Sequence, residues 1–465
     1  MVRTRAAISP TGYPHIGTIY QALFDYAFAH RHNGKFIVRI EDTDKVRTVV
    51  DAEEKVFMAL DWFGLIEDES VRKEGPYKPY RQSDRLDIYK KYAEELINNN
   101  KAYYCFCSKE RLDKLRQDLQ KEGKVPMYDK QCLKLNKEEI KQRLAKNESH
   151  VIRLNVPNNI QVKIKDELRG EITFKSNSVD DQVLMKSDGY PTYFLAVVVD
   201  DYLMKITHMV RGEEWLTSSA KIVLLYGYFG WEKPVFVHTP IIRNPDRSKF
   251  SKRQGHTSIS WYQEQGFFPE AILNYLSLMG WSHPEGKEIF SLDEFIKLFD
   301  FKDIKPIGPI FDLVKLEWMN GIYIRNMKQE TLKKELLKFY KNKNLPKDIV
   351  SKTIPLVQER IKKLSDYLPL CEFFFQPPPT SEVERLWDNK DLFKKILEKL
   401  SLIIGWKANI IGEKMMELVK EEKMKTGEFF MILRVAITGK KISPPLNESM
   451  EILGKEECLK RLSSF

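Results

Sequence analysis

Ser9-Pro10-Thr11-Gly12-Tyr13-Pro14-His15-Ile16-Gly17-Thr18, close to the N-terminus, is the stretch that decides how the chain is read. Upstream of it, Val2, Ala6 and Ile8 alternate with Arg3, Arg5, Ala7 and Ser9. That period of two predicts a strand with Arg5, Ala7 and Ser9 on one face. Downstream, Ile19, Leu23, Tyr26 and Ala27 recur at helical spacing between Thr18 and His32, and Asn33-Gly34 end the run. Phe36 to Ile40 predicts a second strand, with Glu41, Asp42 and Asp44 at its C-terminal end. Strand, Pro/Gly turn, helix and strand make a parallel βαβ unit, the natural opening of an α/β sheet.

The turn presents a helix N-terminus, whose unpaired N–H groups and positive dipole end suit an anion. Gly17, lacking a side chain, allows close approach by a flat base or a phosphate. His15 can donate to a phosphate oxygen as charge develops on it. Taken alone, the same residues also describe an ordinary strand-to-helix turn. A second segment changes the balance. Lys249-Phe250-Ser251-Lys252-Arg253 is a compact cationic loop preceded by the turn-prone Asn244-Pro245-Asp246. Such a loop can close on a triphosphate and neutralise a pentavalent α-phosphorus. In a doubly wound sheet, ligands gather at the carboxyl ends of the strands near the switch point. The two segments then read as halves of one ATP site, and the reaction as adenylyl transfer to a carboxylate with pyrophosphate leaving.

At 465 residues the chain is long enough for two to four domains. Its 42% hydrophobic and 31% charged composition is that of a globular protein with a buried core. No stretch approaches about 18 uncharged apolar residues, the length of a membrane span, and the N-terminus has no secretory signal; the expectation is a cytoplasmic protein without membrane partners. The net charge of +10 suits a polyanion, although Lys-rich solvated helix faces produce the same number. An amphipathic helix is predicted from Asp84 to Asn100, then a charged helical insertion to about Asn147. Strands resume after Val151. The apolar run Leu195–Val199, with Ile206–Val210 and Val235–Val237, reads as the second half of a parallel sheet. Beyond Trp261 the pattern is mainly helical, and from Lys328 it is helical throughout, with a Pro-rich joint at Gln376-Pro377-Pro378-Pro379.

The two ATP-site segments resemble the HIGH and KMSKS signatures of class I aminoacyl-tRNA synthetases. Arg5 to Thr18, Arg39 to Asp44, Pro79 to Ser83, Lys165 to Gly170, Ser187 to Tyr193, Arg211 to Leu216 and Lys249 to Arg253 resemble bacterial glutamyl-tRNA synthetases more specifically. The likeness continues through Trp318-Met319-Asn320-Gly321 and covers essentially the whole chain. It implies a class I Rossmann-type doubly wound α/β catalytic domain with an acceptor-binding insertion, followed by an all-α anticodon-binding domain. The implied divisions are 1–104 and 187–255 for the two catalytic halves, 105–186 for the insertion, 256–327 for stem contacts and 328–465 for the anticodon domain. The implied partners are ATP with Mg²⁺, L-glutamate and tRNA(Glu), handled by a monomer of elongated shape whose activation step needs bound tRNA.

The resemblance also carries site residues. Arg5 and Arg211 would hold the substrate's side-chain carboxylate, for which the planar guanidinium fork is suited. Glu41 would accept from the α-ammonium, with Tyr193 and Ser9 completing the glutamate pocket. His15, Gly17 and Trp215 belong with the nucleotide, together with Lys249, Ser251 and Lys252 of the loop. Two guanidinium groups would be left uncompensated by a neutral amide, which favours glutamate over glutamine. Arg360 falls where the family places an arginine that reads the last anticodon base; Arg suits base edges and stacking. The rival readings are a glutaminyl enzyme, a truncated tRNA-modifying relative, an inactive tRNA-binding paralogue and a tRNA-free adenylyltransferase.

Cys105-Phe106-Cys107 and Cys132 fall where many family members carry a zinc knuckle, with a histidine two residues after the third cysteine. That position is Lys134 here, which is not a zinc ligand. The cysteines read either as a zinc site with Tyr128 or a more distant group as fourth donor, or as free buried thiols.

Overall fold

The computed structural model describes residues 1–250, 257–379 and 390–465. Chain contacts divide it into two compact units, Met1–Ile259 with Leu273–Phe311, and Ser260–Ile272 with Asp312–Phe465.

The first unit opens with β1 (Arg3–Ile8), α1 (Ile16–Arg31) and β2 (Lys35–Ile40). β1 and β2 pair in parallel, from Arg3↔Lys35 to Ile8↔Ile40. Next come α2 (Ala52–Phe63), stopped by Gly64 in the left-handed region at φ 69°, and α3 (Leu86–Asn98). The predicted insertion begins with β3 (Ala102–Cys105), α4 (Lys109–Lys121), α5 (Lys137–Ala145) and β4 (Val151–Leu154). Then come β5 (Gln161–Asp166), β6 (Gly170–Lys175), β7 (Val183–Met185), α6 (Tyr193–Leu203), β8 (His208–Gly212), α7 (Ser219–Phe229) and β9 (Val235–Thr239).

β3, β4 and β7 form a small antiparallel sheet, and a second sheet runs β6-β5-β9-β8. In that sheet β8 and β9 are parallel from His208↔Val235 to Gly212↔Thr239, and β5 joins β9 in the same direction. β1 lies beside β8, tied at its start by Thr207 N–H donating to Arg3 O at 3.0 Å. Two residues on, Arg5 Nη1, a side-chain atom, makes the reach to Val210 O at 3.0 Å. From this seam β1 leads outward to β2 and β8 leads outward to β9. That is the switch point at which a doubly wound sheet opens a crevice.

One predicted element is corrected. Leu195–Val199 is not a strand but the core of α6, and every residue from Leu195 to Asp201 is buried. A helix covered on all sides shows neither the 3.6 nor the 2.0 period, so a short apolar run cannot reveal which it is. The next two residues are more informative: Asp200 and Asp201, both fully buried, demand partners.

On the outer side of β1, α1 packs its apolar face against the helix Leu292–Leu298 and the residue after it, with Phe24 stacked on Phe299 at 5.1 Å. The second unit has only helices among its described elements. One of its cores joins Ile324, Leu332, Leu336, Val350, Ile354, Val357 and Tyr367; another joins Phe393, Ile396, Leu400, Ile411, Met415, Leu433, Ile437 and Met450.

Candidate active site

The crevice at the seam is a cleft of about 790 Å³. Arg5, Ser9, His15, Gly17, Glu41, Tyr193, Arg211 and Trp215 all line it. A smaller adjoining hollow of about 320 Å³ shares His15 and Gly17 and adds Lys249 and Phe250. Ser251 and Lys252, also expected here, lie outside the described residues.

His15 occupies the N-cap position of α1 in extended conformation. Ile16 N–H is taken by Thr257 O at 2.9 Å, which docks the segment after the cationic loop against the start of α1. A Cβ on Gly17 would stand 3.0 and 3.1 Å from two atoms of the His15 ring, so glycine is what lets the imidazole fold back over this turn. Lys249 Nζ pairs with Glu214 at 3.1 Å, on the segment that carries Trp215. The Trp215 ring lies 4.7 Å from that of Tyr193.

Beneath the cleft is a buried charge network built on Asp201. Its carboxylate accepts from Arg5 Nε at 3.1 Å and from Arg39 Nη1 at 2.6 Å. Arg39 also donates through Nε and Nη2 to Glu41 Oε1, at 3.2 and 2.8 Å. Burial alone would raise the Asp201 pKa, but the Arg5 and Arg39 charges hold it below the usual carboxylate range. Burial pushes Glu41 up, opposed by Arg39. Both Arg39 bonds to Glu41 fall on Oε1, so Oε2 stays available to an ammonium group. Arg5 Nη2, likewise, has no hydrogen bond among the described residues. The neighbouring Asp200 accepts from Arg85 Nε at 2.7 Å, Gln82 Nε2 at 2.9 Å and Tyr89 Oη at 2.8 Å. Asp25, buried on α1 nearby, is pushed far above its ordinary pKa by burial.

Arg211, in contrast, has no carboxylate against it among the described residues. Its bonds go to Tyr193 Oη at 3.2 Å, Ser219 Oγ at 2.5 Å and His238 Nε2 at 3.2 Å. Among the groups lining the cleft, Glu41 and the carboxylate-free Arg211 guanidinium make a pattern complementary to a zwitterion with an extra negative charge.

Residues 1–318 match the family described as tRNA synthetases class I (E and Q), catalytic domain, and residues 327–465 match an anticodon binding domain. The chain belongs to the glutamyl-tRNA synthetases of class I. A glutamate–tRNA ligase of Acidothermus cellulolyticus is 43% identical, over 99% of this chain and 94% of that protein. The ligase of Pseudomonas savastanoi pv. phaseolicola is 45% identical, over 98% of this chain and 93% of its own. The solved glutamate tRNA ligase of Elizabethkingia meningosepticum, crystallised with its amino acid, superposes with a TM-score of 0.89 at 36% identity, covering 100% and 98% of the two chains. Among the described residues the synthetase has no helix long and apolar enough to cross a membrane.

Two further groups stand outside the cleft. At the end of β3, the sulfur atoms of Cys105, Cys107 and Cys132 all lie within 4.8 Å of one another. Tyr128 Oη is 3.4 Å from Cys105 Sγ and 3.3 Å from Cys107 Sγ, whereas Lys134 is exposed. In the second unit, Arg360 Nη1 donates to Ser443 O at 3.1 Å. Arg434 Nη1 donates to Ser443 Oγ at 2.5 Å and Pro444 O at 3.1 Å. Burial and the Arg360 charge both lower the Arg434 pKa. Neither guanidinium has a carboxylate partner among the described residues. The sequence reading missed Arg434, Arg39, Asp201 and His238. Arg39 had a signal, because residues two apart on a strand share a face with Glu41; Arg434 and His238 had none.

Proposed function

We infer that this chain is a glutamate–tRNA ligase that forms glutamyl-adenylate from ATP and L-glutamate and transfers glutamate to the terminal adenosine of tRNA(Glu). The observation that carries the choice of amino acid is Arg211, buried in the cleft among neutral partners with Glu41 across the site. In this reading Arg211, with the free Nη2 of Arg5, takes the side-chain carboxylate and Glu41 Oε2 takes the α-ammonium. Tyr193 and Ser9 line the same pocket. A neutral amide would leave the guanidinium charge unmatched in a desolvated site, a penalty of several kcal/mol.

The α-carboxylate so placed attacks the α-phosphorus of ATP. A carboxyl O–P bond forms and the bond to pyrophosphate breaks. His15 and Lys249, with Lys252 and Ser251 from the loop, stabilise charge on the phosphate oxygens, and Gly17 and Trp215 receive the nucleotide. Mg²⁺ bound with the triphosphate would neutralise its charge. A ribose hydroxyl of the terminal adenosine then attacks the acyl carbon and AMP leaves.

The division of labour follows the expected boundaries. Residues 105–186 contact the acceptor end, 256–327 the stem, and 328–465 the anticodon, where Arg434 joins Arg360. Activation requires bound tRNA, and the ligase works as a cytoplasmic monomer. The three thiols are donors of the type zinc accepts, and the Tyr128 hydroxyl beside two of them is the nearest further oxygen, so the knuckle would hold a structural zinc with Tyr128 in the place of the missing histidine.

Incorporation of radiolabelled glutamate into purified tRNA(Glu) and tRNA(Gln), each with ATP and Mg²⁺, tests the assignment. Charging of tRNA(Glu) alone is expected. Charging of both would remove the discriminating role of Arg360, and charging of neither by folded protein would leave an inactive tRNA-binding paralogue.

A further inference from the structure

Arg211 owes its unpaired charge to an arrangement behind it. His238, wholly buried on β9, presents Nε2 to Arg211 Nε and Nδ1 to Asp166 Oδ2, the latter at 2.7 Å. Asp166, at the end of β5, is itself pinned. Its Oδ2 also accepts His238 N–H at 3.0 Å, and its Oδ1 accepts Leu168 N–H at 3.0 Å and Arg169 N–H at 3.1 Å. A carboxylate oxygen only accepts here and an arginine Nε only donates. The single imidazole form that serves both neighbours is neutral, with the proton on Nδ1 and the lone pair on Nε2. Burial lowers the His238 pKa, the bond to Asp166 opposes that, and the Arg211 charge lowers it again, for a net fall in the same direction as the hydrogen-bond pattern requires. Ser219 Oγ closes the set, accepting from Arg211 Nη2 and lying 3.0 Å from the same Nε2.

We propose that Asp166, His238 and Ser219 are positioning residues that fix the plane of Arg211 while withholding a countercharge from it, and so set the preference for glutamate over glutamine. The inference rests on the assignment of Arg211 to the side-chain carboxylate. The imidazole is the decisive part. Asp201 contacts Arg5 directly and largely neutralises it. Asp166 acts across a ring instead, passing on orientation through a fixed tautomer but not its charge at contact distance. The pocket thereby gains a rigid guanidinium whose charge is satisfied only when a carboxylate enters.

The test compares His238→Leu, His238→Gln and Ser219→Ala in the full-length chain with cognate tRNA. The measurements are KM for glutamate, KM for ATP, kcat, and the ratio of glutamate to glutamine charging. Losing one hydrogen bond to a charged group corresponds to roughly 10- to 100-fold. His238→Leu is expected to raise the glutamate KM by about that factor and to erode the glutamate preference. The ATP KM should stay within about twofold. His238→Gln, whose amide oxygen replaces the Nε2 acceptor, should recover most of the loss. Ser219→Ala removes one hydroxyl from a residue that keeps its packing, and keeps the test decisive if His238→Leu does not fold; a severalfold rise in glutamate KM alone is expected. The proposal is overturned if folded variants keep the wild-type glutamate KM, if both substrates weaken together, or if His238→Gln is no better than His238→Leu. Failure of the unmodified chain to charge glutamate would instead overturn the assignment on which the proposal stands.

Discussion

Asp201→Asn removes the one charge that the Arg5 and Arg39 guanidinium groups share. Both arginines are almost completely buried, 2% and 0% exposed by side chain, and Asp201 is 0% exposed. With its carbonyl oxygen in the place of Oδ1, an Asn side chain can still accept from both, but its NH₂ then faces Arg5 Nε where Oδ2 did, so one contact becomes donor against donor. Two charges 4 Å apart attract by about 4 kcal/mol at an effective dielectric of 20. Part of what is lost returns as relief from desolvating the carboxylate, and broken buried pairs cost about 3–5 kcal/mol net. Unfolding of the first unit should therefore shift down by about 5–10 °C, read by differential scanning calorimetry on the full chain. Asp201→Asn combined with Arg5→Met also deletes the guanidinium whose ion pair, among the described residues, is with Asp201 alone, and should recover about half of the loss. A single variant that melts within about 1 °C of the parent, or a double variant that melts lower still, would refute the claim that Asp201 is the shared counterion.

Gly17→Ala should separate stability from activity: alanine favours a helix by up to about 1 kcal/mol over glycine, yet its Cβ meets the His15 ring at 3.0–3.1 Å. The melting temperature is expected to hold or rise while pyrophosphate exchange with tRNA shows an ATP KM up by roughly tenfold from the loss of a positioned donor. His208, pushed down to about 4 chiefly by burial, is unprotonated in the fold while the unfolded chain binds its proton from about pH 6.5 downward. Stability should then fall by about 3 kcal/mol as pH drops from 6.5 toward 4, and urea titrations of His208→Phe across that range should show a shallower slope. Elemental analysis of purified protein should find one zinc per chain, lost in Cys107→Ser; a metal-free chain with unchanged melting on chelation would leave free thiols.

The opening βαβ unit was legible because its residues obey their periods: β1 alternates, α1 repeats on one face, and Gly34 marks the joint. The same clarity extended to Arg5, Glu41 and Arg211, because the resemblance placed them and the crevice collects them. α6 was not legible, since a helix enclosed on every side has no polar face to betray its period. His238 was invisible for another reason. It lies 27 residues from Arg211 and 72 from Asp166, and only strand order makes the three neighbours. Arg434 likewise reads as one more cation in a Lys-rich helical region until the Ser443–Pro444 loop brings it beside Arg360.

The α6 carboxylates also set a timetable for the nascent chain. Arg39 emerges from the ribosome 162 residues ahead of Asp201, and Arg5 196 residues ahead. At elongation rates of about 5–20 residues per second, these cations wait roughly 10–40 s for their counterion. Until it arrives, Arg5 lacks a carboxylate partner and Arg39 has only Glu41, which raises the cost of burying the two side chains. Stable burial of Arg5 in the N-terminal half-sheet is thus expected only once α6 has emerged, shortly before the strand that carries Arg211.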